Sequence, residues 1–314
     1  MTLNQLNYAL YLKKYKNFKR AADQLSISQP ALSIQIQKLE DEIGIKLFNR
    51  SSMPLEVTAD GELFLIRAQE IVTKARQLEN FVDDLKDDYS GTLTIGIIPT
   101  LAPFLVPLFS PTVQDSYPNL QLIFKEEITE KVVNQVRTGE LDVGIISTPI
   151  SVYGIHSIPL FYERFYVYAS SEKTSHSQEI KLKDINYDEL WLLDEGNCFR
   201  DQINDFCDLK SIRKGKKFIY HSNSIDALIR IVDTRGGMTI LPELTTLSLN
   251  AVQEDNLKTI SGKPKAREIG LIVTPNYDKV RYIQLLEEAI KSNIPSHMLD
   301  GNGYEIVDPG IKMD

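Results

Sequence analysis

Apolar positions in the first 58 residues recur at three- and four-residue spacing in three short blocks. Leu3, Leu6, Leu10 and Tyr11 mark a first amphipathic helix, and Phe18, Ala21, Ala22 and Leu25 in "NFKRAADQL" mark a second. In "SISQPALSIQIQKLEDEIG" the residues Leu32, Ile36, Leu39 and Ile43 step by four, three and four, which buries one face of a third helix. Ser28 stands as its N-cap, Pro30 falls in the first turn where a missing N–H costs nothing, and Gly44 ends it. From residue 59 the spacing continues as one seam, Phe64, Ala68, Ile71, Ala75, Leu78, Val82 and Leu85, with Thr58 as N-cap. So narrow a seam calls for a partner helix; the alternative is one helix lying across its own domain.

Beyond residue 88 the pattern becomes strand, then helix, repeatedly. "TLTIGII", "LQLIFKEE", "LDVGIIS", "RFYVYAS", "ELWLLDE", "KFIYHS", "MTILP" and "EIGLIVTP" read as strands. "TEKVVNQVRTG", "IDALIRIVDTRGG" and "KVRYIQLLEEAIKSN" read as helices between or after them. The alternation predicts an α/β class with a mainly parallel sheet, and the length suits two Rossmann-like α/β lobes with a ligand cleft outside the strand ends. The stretch holding Pro99, Pro103 and Pro107 reads as a loop, and residues 294–314 as a loose tail. The expected organisation is residues 1–58, a linker helix 59–88, a body 89–293 and the tail. The two lobes of the body are about 89–164 plus 267–293, and 165–266.

Composition changes the picture in one respect. Net charge is −8, but residues 1–58 hold eight Lys/Arg against five Asp/Glu, and the remainder 27 against 38. A basic head on an acidic body points to the head as the part that meets a polyanion. No apolar run reaches eighteen residues and the N-terminus lacks a signal-peptide core, so a cytoplasmic location and no membrane partner are expected. Neither a GxGxxG nor a P-loop pattern is present, and the four histidines and two cysteines show no metal-ligand spacing, so no cofactor or metal is expected.

The second and third helices meet through a three-to-four-residue turn, as in a helix-turn-helix. The exposed face of the third begins with Gln29, Pro30 and Ser33 and carries no acid until Glu40. Short polar side chains at a helix start can read base edges. "LFNRSSMPLEVT" reads as a small β-wing whose Arg50 reaches phosphate. A plain three-helix bundle is the alternative. The run "FKRAADQLSISQPALSIQIQKLEDEIGIKLFNR" resembles the winged helix-turn-helix of LysR-type transcriptional regulators, with the AA before the turn, SQPALS, KLE and LF-R in order. That resemblance implies DNA-contacting residues Ser28, Gln29, Pro30, Ser33 and Arg50, and a regulatory domain like bacterial solute-binding proteins. It also implies a homodimer through the linker helix on palindromic double-stranded DNA, a tetramer, and RNA polymerase as a partner.

Cys198 and Cys207, the two cysteines, both fall in "DEGNCFRDQINDFC". If the segment is helical, Asn197 is a fair N-cap and Cys198 sits in the first turn, where the dipole, with Arg200 nearby, lowers a thiol pKa. Nine helical residues separate the α-carbons by about 13.5 Å, whereas a disulfide needs roughly 7 Å or less. The pair is therefore either a switch that refolds on oxidation or two inert buried thiols. "LLDEGNCFRDQINDFC" resembles the redox segment of peroxide-sensing LysR-type regulators, which implies a peroxidatic Cys198 and a resolving Cys207. The same resemblance, in "IPTLAPFLVP", "TEKVVNQV" and "KAREIGLIV", implies a peroxide pocket of Thr100, Thr129 and Arg267. On their own, Thr100 and Thr129 read equally as helix caps, and Arg267 as a strand-end charge. Asn197 stands where these regulators commonly have histidine; its amide can donate to sulfur but cannot titrate near neutral pH. The expectation is a hydrogen peroxide-responsive regulator and not an enzyme. The rivals are a regulator of the same family gated by a metabolite between the lobes, and a thiol peroxidase.

Overall fold

The computed structural model describes residues 1–311 apart from 53, 85–88, 171–177, 195–196, 208–221, 276 and 278–279, and their side chains apart from 76–77, 79–84, 187 and 206. They form two compact units, Met1–Asp87 and Asp88–Asp314.

The first unit holds α1 (Leu3–Tyr15), α2 (Phe18–Gln24) and α3 (Gln29–Ile43). The core stripe of α1 is Leu6, Ala9 and Leu12, while Leu3 is half exposed, so the expected face is rotated by part of a turn. Leu32, Ile36 and Leu39 of α3 are buried, Ser28 Oγ accepts from Ala31 N at 3.3 Å, and Gly44 closes the helix at φ +74°. The left-handed φ at Gly44 is what a C-cap glycine supplies without strain. The wing is a two-stranded pair, β1 (Phe48–Asn49) and β2 (Glu56–Val57). Glu40 does not face solvent as expected. It is buried, and its Oε1 accepts from Leu47 N at 2.8 Å and Phe48 N at 3.2 Å, tying α3 to the wing. Thr58 Oγ1 accepts from Gly61 N at 2.9 Å at the start of α4 (Ala59–Asp84). The seam of α4 divides. Ala68, with Leu65 and Val72, is buried in the core shared with α1, whereas Ile71 and Leu78, with Leu63 and Ile66, are exposed. The Val82 side chain and Leu85 lie outside the described residues.

The second unit is built on β3 (Gly91–Ile97), β4 (Leu120–Glu126), β5 (Val143–Thr148), β6 (His156–Ala169), β7 (Glu179–Ile180), β8 (Leu190–Trp191), β9 (Met238–Pro242), β10 (Leu257–Ile260), β11 (Lys265–Val273) and β12 (Glu305–Ile306). The order is β4-β3-β5-β11-β6-β10-β7, with β12 on β11, β9 on β6 and β8 on β9. The sheet is mixed, not mainly parallel. β3 runs parallel to β4 and β5, but β11 is antiparallel to β5 and β6, and β6 to β9 and β10. The cause lies in β11: it comes late in the chain, enters between β5 and β6, and runs opposite to both, while β5 and β6 run the same way. β6 is also longer than "RFYVYAS" suggests. Its first part pairs with β11, and Phe165–Ala169 pairs with β9, so one strand carries the chain across the sheet. The ladder slips at Ile269/Gly270, opposite Pro159, and a Cβ at Gly270 would lie 2.8 Å from Ile158 O, so only glycine fits there.

The helices are α5 (Ala102–Ser116), α6 (Thr129–Arg137), α7 (Cys198–Cys207), α8 (Ile225–Arg235), α9 (Glu243–Thr246), α10 (Ala251–Glu254) and α11 (Val280–Asn293). α5 replaces the loop expected from its prolines. Pro103, Pro107 and Pro111 fall four apart on the exposed face, while Phe104, Leu105, Phe109 and Val113 are buried on the other. Carbonyls freed by the prolines lie on the solvent side, where water can serve them. The tail is likewise not loose: Met298 and Val307 are buried and β12 joins the sheet. The expected strand "KFIYHS" lies, apart from Ser222, outside the described residues.

Candidate redox site

α7 is a ten-residue helix with one cysteine at each end, both buried and both free thiols. Asn197 caps it: its Oδ1 accepts from Phe199 N at 3.1 Å, and its carbonyl accepts from Arg200 N and Asp201 N at 2.9 and 3.2 Å. The amide does not donate to sulfur as expected. Its Nδ2 is buried with no partner among the described residues.

The Cys198 thiol is 5% exposed. Burial pushes its pKa up; the Thr129 hydroxyl, the Arg267 charge and the Phe199 N–H pull it down, and Asp201 raises it again. The net direction is upward, opposite to the expectation from the helix dipole, because desolvation of the thiolate outweighs the donors. The cation that acts on the sulfur is Arg267; Arg200 Nη1 instead donates to Leu193 O at 2.9 Å.

Arg267 is fully buried on β11, directly across the ladder from Glu163 of β6. Its Nε donates to Glu163 Oε1 at 2.8 Å, and its Nη2 lies 2.7 Å from the same oxygen. Nη1 donates to Thr100 Oγ1 at 2.9 Å and Nη2 to Thr100 O at 3.4 Å. The guanidinium also lies 4.8 Å above the Phe199 ring. The second Glu163 oxygen accepts from Leu244 N at 3.1 Å, at the start of α9. Burial pushes the Glu163 carboxyl up, against the pull of Arg267. Arg267 is therefore a buried cation in a closed hydrogen-bond set, not a strand-end charge.

Neither threonine caps a helix. Thr100 is spent on Arg267, and α5 has no side-chain cap. Thr129 is buried in the first turn of α6, and its Oγ1 makes no hydrogen bond of normal length among the described residues. Thr129, Arg267 and Cys198 are thus brought together, Thr100 is joined to them through Arg267, and Asn197 adjoins the thiol in the chain. Cys207, buried at the far end of α7, has its pKa pushed up to about 12 by burial, with Lys265 opposing.

Three buried residues here escape sequence reading. Glu163 follows the inward alternation Phe161, Glu163, Phe165, Val167, where an acid among apolar positions signals a buried partner. Phe199 stacks at 5.5 Å on Phe165 beneath Arg267. Gln202, one turn after Cys198, donates from Nε2 to Ser147 Oγ at 3.2 Å and Val307 O at 2.8 Å. Nothing in the local pattern distinguishes it from a solvent-facing glutamine.

In the other unit, Ser28, Gln29 and Pro30 are exposed at the start of α3, and Ser33 is half buried. Arg50 is exposed on the wing, with Nη2 3.3 Å from Glu40 Oε2 and its guanidinium 5.6 Å above Phe18. Among the described residues no helix is long and apolar enough to cross a membrane.

Residues 3–62 match the family described as "Bacterial regulatory helix-turn-helix protein, lysR family", and residues 86–294 match "LysR substrate binding domain". The second match stops short of His297 and β12. A "Hydrogen peroxide-inducible genes activator" of Haemophilus influenzae is 31% identical, covering 96% of this chain and 99% of the relative. A full-length OxyR variant from Pseudomonas aeruginosa superposes with a TM-score of 0.74 at 28% identity, over 94% of this chain and 99% of that one. A peroxide-bound OxyR variant from Corynebacterium glutamicum gives 0.58 at 28% identity, over 93% and 92%.

Proposed function

We propose, from the premise that this chain belongs to the LysR family of bacterial regulatory helix-turn-helix proteins, that it is a transcription regulator switched by hydrogen peroxide through Cys198 and Cys207. One observation carries this reading: a buried thiol at a helix start meets a buried arginine and a threonine hydroxyl that has no other partner among the described residues. The names of the similar proteins, which include a hydrogen peroxide-inducible genes activator, point the same way.

In this reading a peroxide enters beside Cys198 and takes hydrogen bonds from Thr129 and the Asn197 amide. Arg267 lowers the cost of forming the thiolate and of the negative charge that develops on the departing oxygen. The thiolate attacks one peroxide oxygen and the O–O bond breaks. One oxygen stays as the sulfenic acid of Cys198, and the other leaves with protons as water. The Cys207 thiol, deprotonated, then attacks the Cys198 sulfur. The S–S bond forms and the sulfenic oxygen leaves as a second water. Two thiols and one peroxide thus yield one disulfide and two waters. Because α7 cannot hold both cysteines at bonding distance, the helix must unwind, and that refolding is the signal.

Residues 1–58 are the reading head, with Ser28, Gln29, Pro30, Ser33 and Arg50 at the DNA; 59–88 join two copies, and 89–293 sense. Two dimers forming a tetramer on a palindromic site, with RNA polymerase as the responding machinery, complete the reading. The test is footprinting of reduced and peroxide-treated protein on a genomic fragment selected by binding. The expected result is a footprint whose length or spacing changes on oxidation, and which stays in the reduced pattern for Cys198→Ser. An unchanged footprint, or a change that persists in Cys198→Ser, would overturn the proposal.

A further inference from the structure

Residues 303–307 are fastened to the sheet beside the redox helix. β12 lies parallel to β11, with Glu305 opposite Lys265 and Ile306 opposite Ala266. It occupies the β11 edge that β5 leaves when its pairing ends at Thr148 and Glu268. Glu305 N donates to Pro264 O at 2.9 Å, Val307 N donates to Ala266 O at 2.8 Å, and Lys265 pairs with Glu305. Val307 is buried, and its carbonyl accepts from Gln202 Nε2 at 2.8 Å. The same nitrogen donates to Ser147 Oγ on β5 at 3.2 Å. One buried amide on α7 therefore reaches β5 and the residue after β12, the two strands that follow one another along this edge of β11.

Gln202 lies between the cysteines, four residues after Cys198 and five before Cys207. Closing a nine-residue helical separation of about 13.5 Å to roughly 7 Å unwinds the turns that contain it. The Val307 carbonyl and the Ser147 hydroxyl then lose their donor inside the protein, an unfavourable state for buried acceptors. Among the described residues, what still holds the segment is a two-residue ladder, an ion pair, the turn bond from Tyr304 N to Gly301 O and the Val307 side chain, and short edge elements of this kind open first.

We propose that Gln202 is a positioning residue coupling the redox helix to residues 303–307, and that disulfide formation frees this segment from β11. The inference rests on the peroxide-driven disulfide proposed above. Freed, the segment bares the edge of β11 next to Arg267, so the signal reaches a surface away from α7.

Hydrogen–deuterium exchange of the full chain, reduced and peroxide-treated, tests it, with the disulfide verified on the same sample by peptide mass. The expected result is a disulfide together with amide exchange at residues 304–307 faster by about tenfold or more, the loss of one ordinary hydrogen bond. Reduced Gln202→Met, which keeps the volume but removes the donor, should show the same faster exchange without oxidation. A verified disulfide with unchanged exchange at 304–307 would overturn the release and leave the redox reading intact. Absence of the disulfide would sink that reading and the release with it. Gln202→Met then decides the coupling alone, with unchanged exchange contradicting it.

Discussion

At the scale of single residues, the Cys198 thiol sets the first expectation. Burial raises its pKa, so it is held protonated at neutral pH, and its peroxide reaction must speed up as pH rises. The account predicts an oxidation rate of the isolated Cys207→Ser variant that climbs steadily from pH 6 to 9, read by time-resolved mass. A rate already flat by pH 7 would mean a preformed thiolate and contradict it. Cys207 carries a related signature. Its folded value of about 12 lies above its ordinary value of 9.0, so the folded state keeps a proton that the unfolded chain releases. Reduced protein should therefore lose stability as pH rises above about 9, and Cys207→Ala should reduce that slope in urea melts. Arg267→Ala strands the Glu163 carboxylate and should cost about 3–5 kcal/mol in the same melts. R267M with E163L should recover much of that while leaving peroxide reactivity low, which separates folding from chemistry. Cysteine spacing, the capping asparagine and the candidate pocket residues were legible in the sequence. Their partners were not, because Arg267 meets Glu163 and Thr100 across 104 and 167 residues of chain. The sign of the Cys198 shift was also hidden, since burial is a tertiary property.

Among the elements, those with strong local periodicity read correctly from sequence, α3, α6, α8 and α11 among them. The failures share a cause. α5 is helical despite its prolines because an apolar face of four buried residues outweighs lost backbone bonds that water can replace. β6 hides behind Pro159, and β12 is two residues long and exists only because β11 offers it an edge. Glu40 is the element-scale joint of the reading head, holding two backbone N–H groups of the wing start. Glu40→Ala should destabilise the first unit by about 2–4 kcal/mol, from two unsatisfied buried donors. Glu40→Gln, which keeps an acceptor, should cost markedly less; equal losses in thermal melts would show that the bond pattern is not what matters.

For the molecule as a whole, the exposed apolar residues of α4 carry the assembly prediction. Ile71 and Leu78 are 46% and 67% exposed in one chain, more than a solvated linker needs. Ile71→Glu with Leu78→Glu should give a smaller species in sedimentation and weaken operator binding by orders of magnitude, as two linked heads become two single ones. The basic head on an acidic body was legible in composition, and so were the strand–helix alternation and the resemblance in the head and redox segments. The mixed direction of the sheet was not, since strand order depends on loops that carry no signal of direction. The central claim is chemical, and intact mass after one equivalent of hydrogen peroxide tests it most directly, on wild type and on Cys207→Ser. The account predicts loss of two hydrogens in wild type and one added oxygen on Cys198 in the variant. Two unreacted thiols in wild type, with an unmodified variant, would contradict it.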